Sequence, residues 1–272
     1  MKNKMILGAA FAATLFLAGN ASAVITYDQQ VTPANGVPGQ MIFGDGNGNG
    51  SFTIDQNNGI ELGLRGKLRH NALGQPENTF NSNGDGTYSF QNIVGPGQSS
   101  PTAEWSFEWA INTDFDGSSG FNLNQLDYVL GIDYNPGVGE THLTFDPING
   151  NNPNTGTVFW DHSIGDNTTG GGLGVEATSA GQYGTLIADN NVAQQSWKPH
   201  WFIGALGFDP TVNGTYNIFL TAYEKGTTNV LAHSEIDIIV GSGAPVPEPA
   251  TMTLLGLGLA GLGLRSRKRK KA

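Results

Sequence analysis

Glu104-Trp105-Ser106-Phe107-Glu108-Trp109-Ala110-Ile111 alternates between polar or small side chains and large apolar ones. Successive side chains of a β-strand point to opposite faces. The stretch therefore predicts a half-buried strand, with Trp105, Phe107 and Trp109 turned to a core and Glu104, Ser106 and Glu108 forming an acidic face toward solvent. The same period of two runs through residues 60–68, 87–93, 126–134, 142–145 and 157–160. Turn-forming clusters separate these runs, as a sandwich or barrel requires.

Further along the chain, residues 215–223 place Tyr216, Ile218, Leu220 and Ala222 on one face, and residues 231–240 do the same with Ile236, Ile238 and Val240. With residues 225–229 as the turn, the pair predicts a β-hairpin that closes the domain near Val240. Residues 176–191 break the pattern. Ala177, Ala180, Tyr183, Leu186 and Ile187 recur at helical spacing, although Gly181 and Gly184 weaken the helix. The expected fold is one all-β domain over residues 24–240, a jelly-roll-like sandwich of two packed antiparallel sheets with one short helix.

Both ends of the chain read as transport signals. Lys2 and Lys4, the apolar residues 5–18 and Ala21-Ser22-Ala23 form a secretory signal peptide over residues 1–23, cut after Ala23. What remains before the tail is a body of about 220 residues, within the range of one large β domain. Between Val24 and Pro247 it carries five Lys and Arg residues against 22 Asp and Glu, a net charge of −17. Such a surface repels nucleic acid and anionic lipid, and nucleic-acid binding is excluded. With no cysteine in the chain, disulfides, thiol catalysis, thiolate metal sites and lipoprotein anchoring are excluded as well.

After the linker 241–246 comes Pro247-Glu248-Pro249, then an uncharged run over residues 250–264, then six basic residues within 265–271. The uncharged run of fifteen residues falls short of the roughly 18–20 that cross a bilayer comfortably. The basic cluster would stop transfer and keep the end cytoplasmic, and Gly256, Gly258, Gly261 and Gly263 give the run a small-residue surface for close helix packing. A plain C-terminal anchor is the simpler alternative. This triplet, short Leu/Gly helix and basic end closely resemble the PEP-CTERM sorting signal. The resemblance implies an exosortase-type membrane enzyme as partner, with transient anchoring in the inner membrane. It also implies delivery to the cell surface or extracellular matrix, and an association with exopolysaccharide production.

Three loops share alternating Asp/Asn positions followed by glycine: Asp45, Asn47, Asn49 with Gly50; Asn81, Asn83, Asp85 with Gly86; and Asn112, Asp114, Asp116 with Gly117. Oxygen ligands at every second position suit a weak extracellular calcium site. The same residues also make tight turns. Gln56, Asn92 and Leu123 stand where an EF-hand has its bidentate Glu, which excludes that motif. No other cofactor is expected.

Glu104 and Glu108 are four strand residues apart, about 13 Å, too far for a glycosidase pair. Ala177-Thr178-Ser179-Ala180-Gly181 approaches a nucleophile elbow but lacks the α/β context that motif needs. His70, His142, His162, His200 and His233 show no zinc spacing. Of the tryptophans, Trp160, Trp197 and Trp201 either fill the core or offer indole faces to sugars. Trp197-Lys198-Pro199-His200-Trp201 would set two rings, Trp197 and Trp201, about a proline turn as a glycan platform. The expected function is that of a non-enzymatic exported surface or matrix protein. A carbohydrate-binding module is the alternative, and a polysaccharide hydrolase stands behind both.

Overall fold

The structure, a computed structural model, describes residues 25–32, 48–153, 155–157 and 159–244. The signal peptide, Asp45 and Asn47 of the first loop, linker residues 245–246, the Pro247-Glu248-Pro249 triplet and the rest of the tail lie outside the described residues.

The strands are β1 (Ile25–Gln29), β2 (Phe52–Asn57), β3 (Ile60–Leu68), β4 (Thr87–Phe90), β5 (Trp105–Asn112), β6 (Leu126–Asp133), β7 (His142–Phe145), β8 (Ser163–Gly165), β9 (Val192–Trp197), β10 (Gly214–Glu224) and β11 (Val230–Val240). They form a six-stranded sheet ordered β1-β2-β3-β5-β9-β8 and a five-stranded sheet ordered β4-β11-β10-β6-β7. The molecule is an all-β two-sheet sandwich, as the alternation predicts. All pairings are antiparallel except β4 with β11, which is parallel.

The terminal hairpin forms as expected, with Tyr216 opposite Ile238 and Ile218 opposite Ile236, all four buried. Its turn is held by Thr227 N–H donating to the Glu224 carbonyl and by Gly226 at φ 72°, a conformation that favours glycine. The helix α1 (Ala180–Asp189) is shorter than the 176–191 window. Ser179 caps it by accepting from Gln182 N–H at 3.3 Å. A second, one-turn helix α2 (His200–Ile203) follows β9.

Several expectations need correction. The described residues 157, 159 and 160 lie in no strand, and the run at 87–93 ends as a strand at Phe90. The hairpin β2–β3 escaped the alternation reading, although Asn58-Gly59 marks it. Both residues take positive φ, 53° and 77°, which a two-residue hairpin turn demands.

The largest correction concerns β5, whose polar face is covered. Glu104, Ser106 and Glu108 are buried like the aromatic residues between them. Val31, Phe52, Ile54 and Ala110 form a second small core on that side. The Arg65 guanidinium lies 4.1 Å from the Phe52 ring centroid and 3.8 Å from that of Phe80. Glu108 accepts from Arg65 Nε at 2.6 Å and lies 3.3 Å from Lys67 Nζ. A face that reads as solvated is thus a buried ion cluster beneath apolar cover. That arrangement is tolerable because both charge signs are present and hydrogen-bonded.

Candidate functional site

The inner face of the six-stranded sheet places the predicted aromatic residues. Trp197 closes β9 opposite Phe107, so it shares the core face with Trp105 and Trp109. Its ring lies 5.3 Å from those of Trp109 and Trp160 and 4.8 Å from Phe202. At 2% exposure it belongs to the core, and no two-ring platform exists. Trp201 differs because Pro199 begins the turn of α2, which directs Phe202 and Ile203 inward and leaves Trp201 38% exposed. It is the only exposed tryptophan of the five, since Trp105, Trp109, Trp160 and Trp197 are all buried.

Trp201 borders a groove of about 390 Å³, together with Asn152, Thr157, Phe159, Asp161 and Phe202. A second groove of about 770 Å³ lies at the start of β5 and is bordered by His70, Leu73, Glu77, Phe90, Gln91 and Glu104. Burial pushes the Glu104 carboxyl above its usual range, against a bond that it accepts from Gln91 N–H at 2.6 Å.

Four basic residues stand at the ends of β3 and β9, and His70 among them borders the larger groove. Arg69 extends β3 and His70 follows it, both donating backbone N–H groups to the Glu104 carbonyl at 2.7 and 2.9 Å. On the other side of β5, Lys198 extends β9 and His200 opens α2. Burial and then the Arg69 guanidinium push the Lys198 ammonium below its ordinary pKa. Burial, Lys198 and His70 do the same to His200. His70 is lowered by burial first and by Lys198 and Arg69 further, against a raising bond with the Gly74 carbonyl. The Lys198 Nζ atom lies 5.6 Å from the Trp201 ring centroid and the His200 ring 6.2 Å from it.

The remaining cations of the body are all paired. Arg65 and Lys67 meet Glu108, and Lys225 Nζ lies 2.8 Å from Asp127. Arg69 and Lys198 make no ion pair among the described residues. His70 Nε2 and His200 Nδ1 are buried there without a hydrogen-bond partner. Local pattern does not reveal this cluster, because its members come from the ends of two strands, β3 and β9, that lie far apart in the chain. The signal available was the scarcity of Lys and Arg in the body, which makes any two that stand together conspicuous.

Several described side-chain oxygens of the three Asp/Asn loops accept hydrogen bonds from their own backbone and neighbours. Asn49 accepts from Val31 N–H and donates to the Val31 carbonyl, clipping the segment that follows β1 in place. Asn81 sits at φ 54°, and Asn83 donates to Thr87 and Ser89 hydroxyls. Asp85 accepts from the Thr87 hydroxyl and N–H, which lower its pKa. Asn112 accepts from Asp114 N–H and Asn191. Asp114 accepts from the backbone of Ser119 and Gly120, and Asp116 from that of Ser118. Among the described residues no group of three or more His, Cys, Asp or Glu side chains is arranged to hold a metal ion.

The tail is decided by comparison. Residues 245–269 match the family described as the PEP-CTERM protein-sorting motif. The chain carries this sorting motif at its C-terminal end. PEP-CTERM signals are processed by exosortase, a membrane enzyme, so the motif implies export and transient membrane anchoring before processing. The match covers only the tail and says nothing of the β-sandwich. A comparison with curated proteins found no match. Among the described residues no helix is long and apolar enough to cross a membrane.

Proposed function

We propose that the PEP-CTERM tail delivers a non-enzymatic protein to the cell surface or extracellular matrix, and that its β-sandwich binds polysaccharide there. Export would begin with cleavage after Ala23 and end when exosortase removes the tail. The observation that carries the binding half is the exposed Trp201 ring at the lip of a groove lined by amide, hydroxyl and carboxylate groups. An indole face against sugar C–H groups, with polar groups beside it for the hydroxyls, is the chemistry a glycan requires.

Turnover is disfavoured because the carboxylates of the sheet are engaged elsewhere. Glu108 is held in its ion cluster, and Glu61 accepts from Thr32 N–H, the Thr32 hydroxyl and Gln56. A hydrolase reading would rest on Glu104 as proton donor, since burial raises its pKa at the larger groove, with Glu77 as the second carboxylate. Release of reducing sugar that disappears in Glu104→Gln would establish it.

The sorting half is tested by replacing Pro247, Glu248 and Pro249 with alanine. The variant precursor is expected to stay uncut in the inner membrane, while the released parent chain lacks residues 252–271 by intact-mass measurement. A released parent chain that still carries those residues would make the tail a plain anchor.

A further inference from the structure

Arg69 and Lys198 pose an electrostatic question. In a body of net charge −17, acidic groups are available almost everywhere, yet these two cations stand together with no ion pair among the described residues. Across the strands β3, β5 and β9 their backbones are about 10–12 Å apart, a gap that two long side chains can close around one small anion. Burial first, and then the Arg69 charge, hold the Lys198 ammonium below its ordinary pKa. An anion between them would relieve their mutual repulsion, and the unpartnered ring nitrogens His70 Nε2 and His200 Nδ1 lie beside the pair.

Trp201 decides what kind of anion. Its exposed ring is within 5.6 Å of Lys198 Nζ and 6.2 Å of the His200 ring, so the charge and the flat apolar face belong to one surface. A free phosphate or carboxylate would use the cations and leave the indole idle. Nucleic acid would stack on the indole, but it carries a charge every ~1.7 Å and would be repelled by the rest of the body. An acidic sugar carries at most one carboxylate per ring, a density that two cations can match. Beyond a Debye length of about 10 Å at 0.1 M salt the acidic surface is screened, so the local cluster governs contact.

We propose that Arg69, Lys198 and Trp201 bind an acidic saccharide, with a uronate carboxylate between the two cations and the sugar face on the indole. The sugars next to it would run toward the groove of Asn152, Thr157 and Asp161. This rests on the polysaccharide-binding reading above and adds the class of sugar.

The test titrates the exported protein with oligogalacturonate and oligomannuronate hexamers, each beside its full methyl ester, and with inorganic phosphate. Tryptophan fluorescence reports Trp201, the one exposed indole. At least one acid hexamer should bind about tenfold or more tighter than its ester, with the preference shrinking as salt rises. Arg69→Gln with Lys198→Gln should bring the acid down to the ester's affinity with melting unchanged, and Trp201→Ala should weaken both forms. Equal binding of acid and ester would overturn the acidic-sugar inference and leave polysaccharide binding standing. No binding of either form would overturn both. Phosphate binding as tightly as the hexamers, or acid preference surviving the double Gln variant, would overturn the site as drawn.

Discussion

His162 is fully buried among Trp109, Trp160, Tyr183 and Trp197, 4.8 Å from the Trp109 ring in a T-shaped contact. Its Nε2 donates to the Pro147 carbonyl at 2.6 Å, and burial pushes its pKa down to about 3. In the unfolded chain an ordinary His protonates near pH 6.5, so the unfolded state binds the proton first as pH falls. The stabilising effect of a neutral His162 is complete above pH 6.5 and is lost as pH drops from there toward 3. The parent should therefore lose about 1.4 kcal/mol more per pH unit than His162→Phe between roughly pH 6 and 4. Urea unfolding of both proteins across that range measures it, and parallel pH profiles would show that the ring is not held neutral. Trp197 and Trp201 differ at the same scale. Their spacing in the chain is visible, but only the direction of the α2 turn makes one of them core and the other surface.

At the scale of elements, β5 is the instructive case. Its alternation correctly puts Trp105, Phe107 and Trp109 on the inner face, because period two is a local property of an extended backbone. Burial of the opposite face depends on Phe52, Phe80 and Val31, brought from other parts of the chain. Burial alone would raise the Glu108 pKa, but the Arg65 and Lys67 cations outweigh it and hold it below the usual carboxylate range. Glu108→Gln should cost about 3–5 kcal/mol, because two buried cations lose their counter-charge. Replacing Arg65, Lys67 and Glu108 together by apolar residues of similar size should cost much less and keep the fold. Denaturant melts of the two variants distinguish this from a solvated acidic face, for which the single change would be nearly silent.

For the whole molecule, the domain ends where its last central strand ends. β11 lies between β10 and β4, and the chain beyond it stays tied through Gly241 N–H to the Phe90 carbonyl and Ala244 N–H to the Thr215 hydroxyl. A chain spanning residues 24–245 should therefore fold alone and melt within about 2 °C of the uncut chain that keeps its tail, residues 24–272, since a stability change of 1 kcal/mol moves a domain of this size by ~2–4 °C. Calorimetry checks it, and a larger drop would mean that the tail contributes to the core.

Local chemistry alone carried the sorting motif, the acidic balance of the body, the all-β class and the closing hairpin. Each depends on composition, on a short linear pattern or on the period of an extended chain, and none needs to know which segments meet. The parallel pairing of β4 with β11, the buried ion cluster under β5 and the gathering of Arg69, His70, Lys198 and His200 beside Trp201 were decided by tertiary structure. These features join residues separated by about 40 to 150 positions. At such distances a side chain's environment is set by sheet order, because neighbouring strands in space need not be neighbours in sequence.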